Sequence, residues 1–105
     1  MSKGEGYMSG EVLGCQFSVY PLRQDEIGTA IREAIEAARA EGVQVRVGNL
    51  STLMYGSEDE VFGALRAAFR AAQRPGSAVV IATLVAGMPT DELVGEIQAQ
   101  VDKDA

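Results

Sequence analysis

Two hydrophobic periodicities alternate along the chain, and their order predicts an α+β fold. Apolar residues at every second position predict strands, and apolar residues every three to four positions predict helices. The segments follow one another as β-α-β-β-α-β, the order of the ferredoxin-like domain, in which two helices cover one face of a four-stranded antiparallel sheet. A short C-terminal helix follows. We expect residues 11–105 to form this single domain and residues 1–10 to be a flexible N-terminus, because 105 residues suit one modest core.

The first strand and the first helix are predicted from residue 13 to residue 41. The segment "LGCQFSVY" alternates, so that Cys15 and Phe17 lie on an apolar face and Ser18 and Tyr20 lie on the other face, and Pro21 ends the strand. A stripe of apolar residues with helical spacing follows, which predicts the first helix, and Gly42 is placed to end that helix. The stripe consists of Ile27, Ile31, Ile35 and Ala38.

The middle of the chain predicts two strands and a second helix. "VQVRV" alternates over residues 43–47, and a third extended run covers about residues 50–55 and ends at Gly56. Ser57 and Glu60 have the spacing of a capping box, in which each side chain bonds to the backbone of the other residue. The helix that they begin is predicted to continue to about Gln73, with its apolar stripe at Val61, Leu65, Ala68 and Phe69.

The last strand and helix raise the question of what covers the sheet. "SAVVIATLV" is apolar on both faces, which predicts a central strand at residues 78–85. Pro89 and Thr90 precede a helix with an apolar stripe at Leu93, Val94, Ile97 and Val101. Since both other helices lie on one side of the sheet, the opposite face is open and partly apolar. We expect the C-terminal helix or a second copy of the chain to cover it, and therefore predict a homo-oligomer.

Composition excludes several classes of function. The net charge is −6, with 15 acidic against 9 basic residues, which disfavours nucleic acid as a partner. Histidine is absent and Cys15 is the one cysteine, which removes histidine-based catalytic triads and multi-cysteine metal sites. No segment has the length and apolarity needed to span a bilayer. The sequence therefore predicts a cytoplasmic, non-enzymatic protein with no cofactor, no metal and no membrane insertion.

Two groups of reactive residues have ordinary structural explanations. Glu58, Asp59 and Glu60 could bind a metal, but acidic residues are favoured in the first turn of a helix. Cys15 could be a nucleophile, but its alternation with Phe17 predicts a buried core thiol. We interpret both as structural.

A cluster of small polar residues is the best candidate site. Asn49, Ser51 and Thr52 lie at the entry to the third strand, and Ser18 and Tyr20 share a face of the first strand. Hydroxyl and amide groups beside apolar walls are typical of a pocket that binds a flat, polar heterocycle. Serine and threonine are also ordinary strand and turn residues, so the spacing by itself leaves both interpretations open.

Short segments in a fixed order resemble the YkoF family of thiamine- and hydroxymethylpyrimidine-binding proteins. They are "CQFSVYPL", "LSTLMYG", "DEVFGALRAAFRAA" and "GMP", and the resemblance extends from about Leu13 to Thr90. It implies a ferredoxin-like domain that binds the pyrimidine part of thiamine without transforming it, in support of vitamin uptake or salvage. Its motifs correspond here to Phe17, Ser18, Tyr20, Ser51 and Thr52, to which we add Asn49.

The same resemblance implies pairing of chains. YkoF carries two such domains in tandem whereas this chain has one, so two chains would replace the tandem. An alternative from another class remains open, which is an ACT-like regulatory or interaction module that senses another small metabolite. Fold does not separate the two because both use it.

Overall fold

The computed structural model describes residues 12–22, 27–87 and 90–104. Its elements are β1 (Leu13–Pro21), α1 (Ile27–Arg39), β2 (Gln44–Val47), β3 (Thr52–Gly56), α2 (Glu58–Gln73), β4 (Ala78–Ala86) and α3 (Asp91–Asp104). The predicted order β-α-β-β-α-β with a C-terminal helix is confirmed. The N-terminus predicted to be flexible, residues 1–10, lies outside the described residues, as does Pro89.

The strands form one antiparallel sheet in the order β2-β3-β1-β4. The prediction that residues 78–85 form a central strand is wrong, because β4 lies at the edge and pairs with β1 alone. The two central positions belong to β1 and β3, since each β-α-β connection passes over one strand. Apolar side chains on both faces of a strand show that each face favours contact with other apolar groups. They do not show whether the strand has one or two neighbouring strands in the sheet.

Strand register assigns each side chain to a face of the sheet. Cys15 lies opposite Met54 and Leu84, and these three point toward the helices. Tyr20 lies opposite Val79 and therefore points to the uncovered side, which we call the open face. Burial confirms the predicted alternation of β1, with Cys15, Phe17 and Val19 buried and Gln16 and Tyr20 exposed.

Alanines line the contact between the helices and the sheet. Ala34 and Ala38 of α1 and Ala64, Ala68 and Ala72 of α2 belong to one buried cluster with Phe17, Met54 and Val61. Small side chains let two helices approach closely, so this alanine stripe, and not the predicted isoleucine stripe, is the most deeply buried part of α1. Its isoleucines are less deeply buried: Ile31 and Ile35 are half-buried against the core, and Ile27 is exposed.

The ends of the first two helices follow the sequence signals. The Ser57 hydroxyl accepts from the Glu60 amide at 3.2 Å, and the Glu60 carboxylate accepts from the Ser57 amide at 2.9 Å, which confirms the capping box. Helix α2 ends at Gln73, as predicted. After α1 the chain turns at Gly42, whose φ of 100° lies in the left-handed region that favours glycine.

Helix α3 extends from the domain with its apolar stripe exposed. Its first turn is held by two contacts: the Thr90 hydroxyl accepts from the Leu93 amide, and Arg46 of β2 donates two hydrogen bonds to Asp91 at 3.0 and 3.2 Å. None of its residues is buried, and Val79 and Ile81 on the open face remain exposed. Of the two coverings expected for the open face, the chain's own C-terminal helix therefore does not provide one.

Candidate functional site

The β2–β3 connection is a tight hairpin turn. The Gly48 amide donates to the Ser51 carbonyl at 3.0 Å, which leaves Asn49 and Leu50 as the two residues of the turn. A Cβ atom at Gly48 would lie 2.8 Å from the Ser51 carbonyl oxygen, so the close approach requires glycine here. Strand β3 begins at Thr52, two residues later than predicted, and Asn49 and Ser51 consequently belong to the turn.

Strand β1 is longer than its partner β3, and this leaves a gap in the sheet. It pairs with β4 from Leu13 to Pro21 but with β3 only from Leu13 to Phe17. Among the described residues, the stretch from Ser18 to Tyr20 therefore has no strand partner along that backbone edge. Such an edge presents N–H and C=O groups that need hydrogen-bond partners when they are removed from water.

The hairpin turn is attached beside this gap. The Ser18 hydroxyl donates to the Leu50 carbonyl at 3.4 Å, a long and therefore weak hydrogen bond. The turn thus lies next to β1 without completing the sheet, and its side chains remain outside. Leu50 is 92% exposed.

A cavity of about 190 Å³ occupies the gap between β1, the hairpin turn and α1. All six residues proposed from the sequence line it: Phe17, Ser18, Tyr20, Asn49, Ser51 and Thr52. The other lining residues are Val19, Ile31, Ile35, Val47, Gly48 and Leu50. None of these lining residues carries a charge. A ligand-binding role for the six stays a prediction, but the fold places them together.

Thr52 is the most distinctive polar group of the cavity. The residue is 7% exposed, and among the described residues no hydrogen bond to its hydroxyl is present. A buried hydroxyl without a partner costs roughly 1–3 kcal/mol, whereas a ligand atom at hydrogen-bond distance would remove that cost. The arrangement therefore favours a polar ligand atom beside Thr52.

The two aromatic residues have different positions in the cavity. Phe17 is 1% exposed and pairs across the sheet with Thr52, so it forms part of the inner wall. Tyr20 is 49% exposed and stands at the mouth, where its ring is free to lie against a flat ligand. Stacking is therefore better suited to Tyr20.

The sequence did not identify the contribution of α1. Ile31 and Ile35 form the apolar side of the cavity opposite the hairpin turn. Their signal was present as the isoleucine stripe, but its spacing did not connect that stripe with the cluster of small polar residues. The site consequently spans the rim between the two faces of the sheet, since Ser18 and Tyr20 are on the open-face side and Phe17 and Thr52 are on the helix side.

The reactive groups of the sequence lie elsewhere. Cys15 is buried in the core, and burial raises the pKa of its thiol, which disfavours the reactive thiolate. Met54 is likewise buried in the core. Within the described ranges, no group of three or more metal-ligating side chains is brought together. In the same ranges, no helix is both long and apolar enough to cross a membrane.

Two larger depressions have less suitable linings. One of about 400 Å³ lies between α2 and β4, and its walls are apolar apart from Arg66. Another of about 610 Å³ lies beside β2 and the end of α1. A specific small-molecule site combines apolar walls with a few convergent polar groups, and the cavity at Thr52 fits that description better.

The geometry defines a class of protein, a ferredoxin-like α+β domain with a small uncharged cavity at the end of its sheet. The family model described as the YKOF-related family matches residues 12–91. The chain therefore belongs to the YkoF-related family, and the expected resemblance is confirmed.

A curated relative is YkoF of Bacillus subtilis (strain 168), which is named, provisionally, as an HMP/thiamine-binding protein. The two are 33% identical over 60 residues, which cover 57% of this chain and 30% of YkoF. The chain thus matches less than a third of that relative's length.

Solved structures share the fold at low sequence identity. A domain of unknown function, DUF77, from Bacillus cereus has a TM-score of 0.71 at 22% identity, covering 82% of this chain and 89% of that one. A Thermotoga maritima protein, described provisionally as acting in thiamine biosynthesis or salvage, has a TM-score of 0.68 at 21% identity, covering 82% and 98%. These likenesses establish the fold.

Proposed function

We propose that the chain binds thiamine or its hydroxymethylpyrimidine moiety without transforming it, in support of vitamin uptake or salvage. One observation supports the proposal: the buried Thr52, whose hydroxyl has no hydrogen-bond partner among the described residues, lines the same uncharged cavity as Ser18 and Ser51. An aminopyrimidine has ring nitrogens that accept hydrogen bonds and an exocyclic amine that donates them. The hydroxyls and the unpaired backbone edge of β1 complement both kinds of group.

The size of the cavity favours one ring over two. Pockets for drug-sized ligands are usually about 300–1,000 Å³, and this one is about 190 Å³. The pyrimidine would lie inside, between the α1 isoleucines and the hairpin turn. The thiazolium of thiamine would extend past Tyr20 and Leu50 toward solvent. Free hydroxymethylpyrimidine and thiamine would then use the same inner contacts.

Charge sets the expected discrimination against thiamine pyrophosphate. A pyrophosphate requires a glycine-rich nest, a free helix N-terminus or a cluster of basic side chains. The described lining of the cavity has no basic residue, and the N-terminus of α2 is already matched by Glu58, Asp59 and Glu60. The permanent positive charge of the thiazolium is compatible with a chain of net charge −6.

Isothermal titration calorimetry of one protein sample with thiamine, hydroxymethylpyrimidine and thiamine pyrophosphate tests the proposal. We expect unphosphorylated thiamine to bind with a Kd on the order of micromolar, about −8 kcal/mol. Pyrophosphate binding tenfold tighter than thiamine would contradict the charge argument. Binding of an amino acid, with no response to either pyrimidine, would instead support the ACT-like regulatory alternative.

We also propose that the protein is cytoplasmic and self-associates, with a second copy covering the open face. The support is the exposure of Tyr20, Val79, Ile81 and Val85 on that face, together with the tandem of domains implied for YkoF. Light scattering at micromolar concentration should give a mass above that of one chain. A species of 11.1 kDa alone would contradict self-association.

A further inference from the structure

Helix α3 has an apolar stripe that no other described element of its own chain covers. The α3 stripe consists of Leu93, Val94, Ile97 and Val101; the last three are 55–58% exposed. An isolated helix of 14 residues is only marginally stable in water, so such a helix normally depends on tertiary contacts along its apolar side. Among the described residues, the contacts that hold α3 are confined to its first turn.

A matching apolar groove lies on the opposite edge of the sheet. The α2–β4 groove, about 400 Å³, is lined by Phe62, Leu65, Arg66, Phe69, Val80 and Ala82. It exists because α1 and α2 do not fully cover the helix side of β4, where Leu84 is also 41% exposed. A third helix laid along β4 would complete this layer.

The chain's own α3 is not placed to fill that groove. Asp91, its first residue, is hydrogen-bonded to Arg46 of β2. Strand β2 lies at the other edge of the sheet, three strand spacings or about 14 Å from β4. Arg46 also points to the open face, since its neighbour Val45 lies opposite the buried Met54. The start of α3 and the groove are thus on different edges and different faces.

Charge complements the apolar match. Arg66 lies on the rim of the groove, and Arg70 follows one turn later on the same exposed side of α2. On α3, Glu96 lies about 60° around the helix from Leu93 and so flanks the α3 stripe on one side. A helix seated in the groove by its stripe would bring this carboxylate toward the arginines of the rim.

We propose that α3 of a second copy of this chain lies in the α2–β4 groove, and that the exchange is reciprocal. Each copy would then bury both surfaces, which together comprise nine apolar side chains. At roughly 50 Å² of remaining exposed area each, the apolar area buried is ~450 Å² per copy. That is about the apolar share of a standard interface of ~800 Å² per partner. The contact is separate from the open face, and it does not rest on ligand binding.

A charge-swap experiment on the full chain tests the exchange. One variant carries Arg66→Glu with Arg70→Glu, and the other carries Glu96→Lys. Each alone sets like charges against each other in both contacts of a homodimer, so self-association should weaken by roughly tenfold or more. When mixed, they should form a heterodimer, because both of its contacts then join opposite charges. Analytical ultracentrifugation with one variant carrying a fluorescent label measures this.

The controls separate the alternatives. The variant that combines all three changes in one chain should recover self-association, and Ala99→Glu, on the side of α3 opposite the stripe, should leave it unchanged. Recovery of thermal stability in this combined variant without any heterodimer in the mixture would mean that α3 folds back within its own chain, and would overturn the proposal. A second result would also overturn the proposal: Ile81→Asp abolishes self-association while neither charge swap has any effect. That result would place the contact on the open face alone.

Discussion

Replacing Thr52 by valine isolates the polar group on which the proposed site depends. Valine keeps the branched shape that suits a strand and removes only the hydroxyl. Thr52 is 7% exposed, and its hydroxyl has no hydrogen-bond partner among the described residues. The folded protein therefore loses no internal hydrogen bond, and the free energy of unfolding should be unchanged or slightly increased.

Ligand affinity should respond in the opposite direction. If a pyrimidine edge is paired with Thr52 in the complex, the substitution leaves that edge buried and unpaired at a cost of roughly 1–3 kcal/mol. Affinity for thiamine should fall by a factor of about 5–150. Adding Ser51→Val should lower it further, by a similar amount if Ser51 also meets the ligand.

The assay combines calorimetric titration with thermal denaturation of the same samples. Thr83→Val is the matched control, because Thr83 is exposed on the open face of β4, away from the cavity. The control should bind thiamine as the unaltered chain does. Unchanged affinity in Thr52→Val and in the double variant, with both still folded, would show that the pocket has been placed wrongly.

Three further substitutions or treatments have defined outcomes. Gly48→Ala should lower thiamine affinity, because its Cβ would lie 2.8 Å from the Ser51 carbonyl oxygen and displace the hairpin turn. The control Gly28→Ala has open space at its Cβ in α1, so it should bind thiamine normally and be as stable as the unaltered chain or more stable. Ser57→Ala should lower the free energy of unfolding by about 1 kcal/mol in urea denaturation, because it removes the α2 cap; no change would mean that the capping box contributes nothing. Cys15 should resist alkylation in the folded protein at pH 8 and react in denaturant, because burial raises the pKa of its thiol; rapid reaction in the native state would contradict that burial.

Features that depend on neighbours a few residues apart were predictable from the sequence. The alternation of β1, the capping box of Ser57 and Glu60, and the end of α2 at Gln73 all follow from local spacing and were found as predicted. The chain order of the elements was sufficient to indicate the ferredoxin-like fold. The six candidate residues line one cavity because they lie on adjacent strands close to one hairpin turn, and their role in ligand binding stays a prediction.

Features that depend on the relative lengths of paired strands, or on which side of a helix faces the core, were decided by the tertiary structure. The gap beside Ser18 exists because β3 starts at Thr52 while β1 continues to Pro21, a difference in length that no local pattern contains. Close packing of the α1 alanines against α2 turns Ile31 and Ile35 toward that gap.

The edge position of β4 and the exposed stripe of α3 have the same origin. The sequence by itself determined that both segments are apolar and what secondary structure they adopt, since these properties follow from residue type and spacing. It did not determine what covers them. Burial of an apolar surface is non-directional, so a hydrophobic stripe indicates that it needs a partner without indicating which one. Only the strand order and the attachment of Asp91 to Arg46 place β4 and α3 apart within one chain.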